Sequence, residues 1–437
     1  MISITKKYIE YLCSDLNKTV AHFILIFNSS KKNTLLSHAN LFLYSSTRRS
    51  KKTSSRYASI ISMFYRYLST TEEFKDRNPS EYHLFAENKD IRRWITSRET
   101  DRVSRSSKSP STGTIVDDAK LLLGFFKWLG DNGFHTNVKI QMKTWVPPFK
   151  SSRYQQYVSY KAREIIDSTS IDVLDKENRQ LQVRGLISPQ EIEQLTAAYS
   201  DPVYPVLFMF ALGTAMRPMD LCRYPYFGNG DNAHIMPFSS MVMEGATVEY
   251  TVNNSKGNKT RKIIIHEDAL RDIENNYIKP YYTKRAAKYK ENYGEKPPLS
   301  LLFLTEDGHP VTPDKISQRT NVAKKKALEK NPKLRPNLCF YDARDWWPTQ
   351  YMIRCFGDDL LRSSEGLYNL AVAQVLQSQM GHSDVRTTFD NYMDMARVIL
   401  SLHQSRKMEI FKSADFSATN FIDAIAGMPE EVTSEFA

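Results

Sequence analysis

Four short stretches between Ala211 and Tyr392 of this 437-residue sequence combine residue types that can handle an anion. In the first, ALGTAMRPMDL (Ala211 to Leu221), Gly213 is placed to stop an apolar helix, and Arg217 stands immediately before Pro218, which suits the first turn of a new helix. An arginine there shares its position with the free N–H groups of a helix start, an arrangement that binds phosphate. In the second, NSKGNKTR (Asn254 to Arg261), Lys256 sits in a predicted β-turn, from which its ammonium can project into a neighbouring groove. In the third, YDARDWW, Tyr341 and Arg344 fall one helical turn apart on a common face. In the fourth, MGHSDVRTTFDNY, a helix ends at Gly381, His382 follows, and Tyr392 comes ten residues after that histidine. Taken singly, these have ordinary readings: a surface arginine, a solvated basic turn.

In this order, TAMRPMDL, SKGNKTRKIII, YDAR and MGHSDVRTTFDNYMD resemble the four signature segments of tyrosine recombinases, the family that includes phage integrases. The likeness runs from Gly185 to about Ser405 and, more loosely, over the helical region before it, where STGTIVDDAKLLLGFFKWL resembles the last long helix of the family's core-binding domain. The resemblance implies that Arg217 and Arg344 are the two catalytic arginines, Lys256 the hairpin lysine, His382 the histidine of the fourth segment and Tyr392 the nucleophile. Asp220 falls where the family has an acidic residue that supports the site. Two features depart from the pattern. Tyr341 stands where the family usually has a histidine, and the spacing from His382 to Tyr392 is one residue longer than the commonest one. A phenol, with a pKa of about 10, is a poorer base at neutral pH than an imidazole, so Tyr341 bears on the route of the nucleophile's proton.

The chemistry that the resemblance implies suits these groups. Attack on a phosphodiester concentrates negative charge on its nonbridging oxygens, and two fork-shaped guanidiniums can grip both. A tyrosine forms a covalent 3′-phosphotyrosine that stores the bond energy, so religation needs no ATP. The departing 5′ oxygen needs a proton, which Lys256 can supply, while His382 hydrogen-bonds the scissile phosphate. No cofactor and no metal are expected. The expected function is site-specific recombination, for integration or excision of a mobile element. The alternatives are a type IB topoisomerase-like enzyme that relaxes DNA, a DNA-binding protein whose catalysis has decayed, and a structural DNA-packaging protein, which would account for the charge alone. Double-stranded DNA is the expected partner, held in a clamp of two domains. A homo-tetramer on DNA with dimeric or monomeric intermediates is also expected, and an accessory DNA-bending or directionality protein is a further candidate.

The bulk properties bound this reading. A chain of 437 residues predicts two or three domains, and 41% hydrophobic with 12% aromatic residues is enough to build packed interiors. A net charge of +11 points to a polyanionic partner. Cys13, Cys222, Cys339 and Cys355 are scattered without a CxxC pair, and the histidines show no HxxxH spacing, so neither a disulfide framework nor a metal site is indicated. No signal peptide and no bilayer-spanning stretch is expected. The compartment follows as the cytoplasm of a bacterial or archaeal cell, or the nucleus of a eukaryotic host.

The elements that must position these residues are predicted as mainly α with a small β-sheet: a helical core-binding domain followed by a mixed α+β catalytic domain. Residues 1–56 carry ten Lys/Arg against two acids and read as a basic segment, densest at STRRSKKTSSR, either a solvated loop or an extra DNA contact. Candidate DNA contacts are Arg48, Arg49, Lys51 and Lys52 there, with Lys259 and Arg261 in the hairpin. Residues 57–150 form the helical domain, with apolar stripes at Tyr57, Ile60, Ile61, Phe64 and Leu68, at Ile91, Trp94 and Ile95 after an N-cap at Asn88, and from Ile115 to Leu129. RETDRVSRSSKSPST reads as an exposed loop between them. Residues 151–186 connect the domains. Residues 187–412 form the catalytic domain, opening on a capping box at Ser188 and Glu191. The alternation of Val248, Tyr250 and Val252 predicts a β-hairpin returning through Arg261 to Ile265. Residues 413–437 are an acidic tail in which Phe421, Ile422, Ile425 and Met428 would share one face of a short helix. The resemblance implies that this tail docks on a neighbouring protomer, the alternatives being packing on its own catalytic domain or remaining disordered.

Overall fold

The computed structural model describes residues 2–13, 17–28, 33–105, 109–144, 164–171, 185–257, 259–356, 370–381 and 396. The chain divides into two units, residues 1–145 with 163–182, and residues 146–162 with 183–437. The architecture is mainly α with small antiparallel sheets, as expected.

In the first unit, the basic N-terminal stretch forms a sheet that its sequence did not announce. Strands β1 (Ser3–Cys13), β2 (Lys18–Asn28) and β3 (Asn33–Leu35) make an antiparallel meander, with Ile4 opposite Phe27 and Tyr8 opposite Phe23. Strict alternation is broken because Lys6 lies on the same face as buried Ile4. Its ammonium reaches Ser59 Oγ at 2.8 Å on the helix beneath and lies 5.0 Å from the centroid of the Phe23 ring. Beyond its pairing with β3, the same edge of β2 is closed by side chains. Asn40 accepts from the Leu25 amide at 2.7 Å and donates to the Leu25 carbonyl at 3.0 Å, and Ser54 accepts from the Phe23 amide at 2.8 Å.

Five helices follow: α1 (Ser37–Phe42), α2 (Lys51–Leu68), α3 (Tyr82–Phe85), α4 (Asn88–Ser104) and α5 (Thr112–Asp131). Their apolar stripes meet as predicted, with Ile61, Phe64, Trp94, Ile95, Leu122 and Phe126 fully buried. Asp118 of α5 binds Arg56 of α2 at 3.2 Å and Arg98 of α4 at 3.0 Å, tying three helices through one carboxylate. Three local expectations are corrected. STRRSKKTSSR is not a loop throughout, because Ser50 caps α2 by accepting from the Thr53 amide and Lys51 to Arg56 are helical. Helix α4 opens one residue before the expected cap, at Glu87, whose amide donates to Asp90 Oδ2 at 2.9 Å. It also runs through Arg98 to Ser104, since buried Trp94 and Ile95 anchor it and Arg98 gains Asp118. A short pair, β4 (Gln141–Thr144) and β5 (Glu164–Asp167), completes this unit.

The second unit opens with α6 (Pro189–Ala198), whose capping box is formed as predicted: Ser188 Oγ accepts from the Glu191 amide and Glu191 accepts from the Ser188 amide. Helix α7 (Val203–Thr214) is apolar on nearly every side and occupies the centre of the unit, as such helices must. Around it lie α8 (Pro218–Leu221), the hairpin β6 (Thr247–Ser255) and β7 (Lys259–His266), α9 (Glu267–Ile273), α10 (Thr283–Tyr293), α11 (Pro313–Lys330), α12 (Tyr341–Phe356) and α13 (Leu370–Met380). Gly213 does not stop α7. The helix continues to Thr214 and ends where Ala215 takes a left-handed conformation (φ 53°). Gly213 faces α9, where a Cβ would meet Ala269 at an ordinary 3.6 Å. No helix among the described residues is long and apolar enough to cross a membrane.

Candidate active site

The cationic candidates in the second unit are held by several different elements. The reversal at Ala215 delivers Arg217 to the N-cap of α8, with Pro218 in the first turn as the sequence indicated. Arg217 Nη1 donates to Ser255 Oγ at 3.1 Å, and Nη2 donates to the Gly381 carbonyl at 3.1 Å. Lys256 lies exposed in the β6–β7 turn, where Gly257 supplies the positive φ. Lys259 is also exposed, at the start of β7.

Arg217, Ser255, Lys256, Lys259, Arg261 and Gly381 line one cleft of about 300 Å³. Two lysines and two arginines face it, and no carboxylate among the described residues lines it. Such a wall attracts a phosphate by charge and can hold it by directed donors.

Behind the cleft lies Asp220, 1% exposed. Its Oδ2 accepts from Arg261 Nη2 at 2.9 Å and from Ser255 Oγ at 3.1 Å. Arg261, read from the sequence as a DNA contact, spends its other donors inside the protein as well. Nη1 donates to Ser255 Oγ at 2.7 Å and Nε to the Gln379 carbonyl at 3.3 Å.

Arg344 approaches from another side. It is 4% exposed and donates to the carbonyls of Ala215 and Met380. The last carbonyls of a helix lack partners within it, and here two guanidiniums supply them, Arg344 at Met380 and Arg217 at Gly381. Tyr341, one turn before Arg344, is 48% exposed and does not line the cleft. Its helix start is fixed by Asp342, which accepts from the Cys339 amide at 2.6 Å.

Two residues that sequence reasoning passed over set this geometry. Ser255 is the junction of Arg217, Arg261 and Asp220; its only signal was its place beside Lys256. Gln379, 3% exposed, pins the last turn of α13 to β7 and α7. Its Oε1 accepts from the Ile264 amide at 3.1 Å, and its Nε2 donates to the carbonyls of Ile264 at 3.1 Å and Thr214 at 3.0 Å. Gly381 ends that helix at φ 62°, and a Cβ there would stand 2.7 Å from Arg261 Cδ. His382 and Tyr392 lie outside the described residues, as does the acidic tail; Gly381, the residue before His382, is in the cleft wall.

Other nucleophile types in this unit are held protonated by burial. It pushes the Cys222 thiol up to about 12 and the Cys355 thiol to about 11, so neither is a thiolate at neutral pH. Burial also raises the phenols of Tyr224 and Tyr250 well above their ordinary value. The described residues contain no cluster of His, Cys, Asp and Glu able to hold a metal ion. In the first unit, Arg48 stacks over the Tyr44 ring at 4.7 Å and Lys51 over Tyr8 at 4.1 Å, while Arg49 and Lys52 are exposed.

No protein-family model and no curated protein matches the sequence. The chain is similar in structure to several solved proteins. One is the XerH site-specific recombinase bound to a palindromic difH substrate in a post-cleavage complex, at 13% identity over 82% of this chain and 80% of that one, with a TM-score of 0.47. Another is a lambda integrase dimer bound to a COC′ core site, at 15% identity over 82% of this chain and 93% of that one, with a TM-score of 0.42. A third is the Tn1549 transposon integrase in complex with circular intermediate DNA, at 14% identity over 84% of this chain and 98% of that one, with a TM-score of 0.47.

Proposed function

We propose that this chain is a tyrosine recombinase that cuts and rejoins DNA strands through Tyr392, serving the integration or excision of a mobile element. The observation that carries the reading is a convergence. Residues from four separate sequence segments gather around the end of α13: Arg217, Arg344, Lys256 and the Gly381 carbonyl that precedes His382. Surface arginines and a solvated turn would have no reason to meet there.

The scissile phosphate enters the cationic cleft, where Arg217 donates to its nonbridging oxygens and Arg344 fixes the helix end beside it. Tyr392 attacks phosphorus, forming the 3′-phosphotyrosine while the bond to the 5′ oxygen breaks, and Lys256 gives that oxygen its proton. Attack by a free 5′ hydroxyl reverses the step and returns the proton. Double-stranded DNA is the partner, bound largely through phosphates and therefore weakly at high salt. A tetramer on DNA is the assembly in which two strands are exchanged.

The test is to incubate the full-length protein with a pool of nicked duplexes of varied sequence and look for an adduct that survives denaturation. The wild type should form one. Tyr392→Phe should bind the duplexes and form none. An adduct from the Phe variant would assign the nucleophile to another tyrosine, and duplex binding without any wild-type adduct would make the chain a binding protein.

A further inference from the structure

We propose that Arg261 is a positioning residue that neutralises buried Asp220 and so keeps that carboxylate from drawing the Arg217 guanidinium out of the cleft wall; this rests on the function proposed above. One carboxylate lies between two guanidiniums. Arg261 Nη2 is 2.9 Å from Asp220 Oδ2, while Arg217 Nη1 is 3.9 Å from the same oxygen. The hydroxyl of Ser255 holds the division in place, donating to Asp220 at 3.1 Å and accepting from Arg217 at 3.1 Å and from Arg261 at 2.7 Å. A hydroxyl has one proton and two lone pairs, so its capacity is used in full.

The burial of Asp220 makes the arrangement consequential. A carboxylate this buried must be paired, because leaving it unpaired costs more than most single interactions supply. With Arg261 removed, Asp220 draws Arg217 across the remaining gap into a full ion pair. Arg217 then turns away from the cleft without any loss of its own charge. Arg261 is suited to the paired role because its side chain is only 8% exposed and its Nε is anchored on the Gln379 carbonyl. Since Ser255 adjoins Lys256, the same network also sets the turn that carries the proton donor.

The experiment uses full-length Arg261→Gln, Arg261→Lys and the double variant Asp220→Asn/Arg261→Gln. The salt dependence of binding to a duplex of arbitrary sequence is measured first, then the rate of covalent adduct formation on the nicked pool. Arg261→Gln should form adduct on the order of 10- to 100-fold more slowly, short of the outright loss of an oxyanion donor, and its salt slope should fall by about one as Arg217 leaves the phosphate. Arg261→Lys should stay closer to wild type. The double variant should recover most of the rate and the wild-type salt slope, since no carboxylate is left to capture Arg217. A salt slope reduced by about one in the double variant as well, with adduct formation per bound protein unchanged in Arg261→Gln, would make Arg261 a phosphate contact and overturn the proposal. Equal impairment of the single and double variants would overturn it too. Should Arg261→Gln fail to fold, the double variant carries the test, because it buries no unpaired charge. A wild-type protein that forms no adduct would refute the enzyme reading alone, and the salt slopes would still decide whether Arg261 touches phosphate.

Discussion

Arg217 and Arg344, far apart in sequence, end on neighbouring carbonyls of one helix: Arg344 donates to Met380 and Arg217 to Gly381. Anything that loosens one guanidinium therefore disturbs the helix end that leads into His382. Arg344→Lys keeps the charge and loses the fork, so it cannot satisfy both Ala215 and Met380. It should lower stability by about 1–3 kcal/mol, the cost of an unsatisfied buried polar group, and slow adduct formation by about 10²-fold or more. Urea unfolding and the adduct assay measure the two effects. An unchanged unfolding midpoint would show that the fork is dispensable to the fold.

Lys256 lies in the cleft wall as the proposed proton donor to the leaving oxygen. Lys256→Ala should slow cleavage by about 10²- to 10⁴-fold, the range for general acids. A substrate with sulfur at the 5′ bridging position leaves without a proton and should restore much of the rate. Equal impairment on both substrates would transfer the role to Lys259, which lines the same cleft.

The two glycines flanking the site should respond oppositely to alanine. At Gly381 the backbone is left-handed, and a Cβ would press on Arg261 at 2.7 Å, so Gly381→Ala should cost roughly 1–2 kcal/mol and impair adduct formation. At Gly213, inside α7, a Cβ meets Ala269 at 3.6 Å, and alanine is the better helix former. Gly213→Ala should leave stability unchanged or raise it by about 0.5–1 kcal/mol. Thermal melting of the two variants side by side decides the point.

The first unit should lose stability in mild acid. The rings of His38 and His83 lie 4.1 Å apart; burial, then the His38 charge, holds His83 down at about 4. Its folded pKa is thus below the unfolded value of about 6.5, so the unfolded chain takes up the proton first. The contribution is fully present above pH ~6.5 and is lost as the pH falls toward about 4. His83→Phe should flatten the stability–pH curve in that window by up to one proton. A variant with the wild-type slope would place the sensitivity elsewhere.

The sequence by itself determined what is local. Ser188 and Glu191 announce a capping box, Arg217-Pro218 a helix start, Val248 to Val252 a strand, and the stripe from Ile115 to Leu129 a buried helix face, because each signal is read within a turn or two. It also determined which residue types are available to the cleft, and in what order. Only the tertiary structure decided how they are shared. That Arg261 turns inward depends on Asp220, brought beside it by the packing of α8 against the hairpin. That the helix runs past Gly213 is set by the left-handed turn at Ala215, and that Lys6 belongs to a sheet is set by its pairing with Leu25 of β2, while Ser55 and Ser59 of another element receive its ammonium. Charge and propensity are properties of one residue, whereas the partner that fixes a guanidinium, an ammonium or a helix end is chosen by contacts distant in sequence.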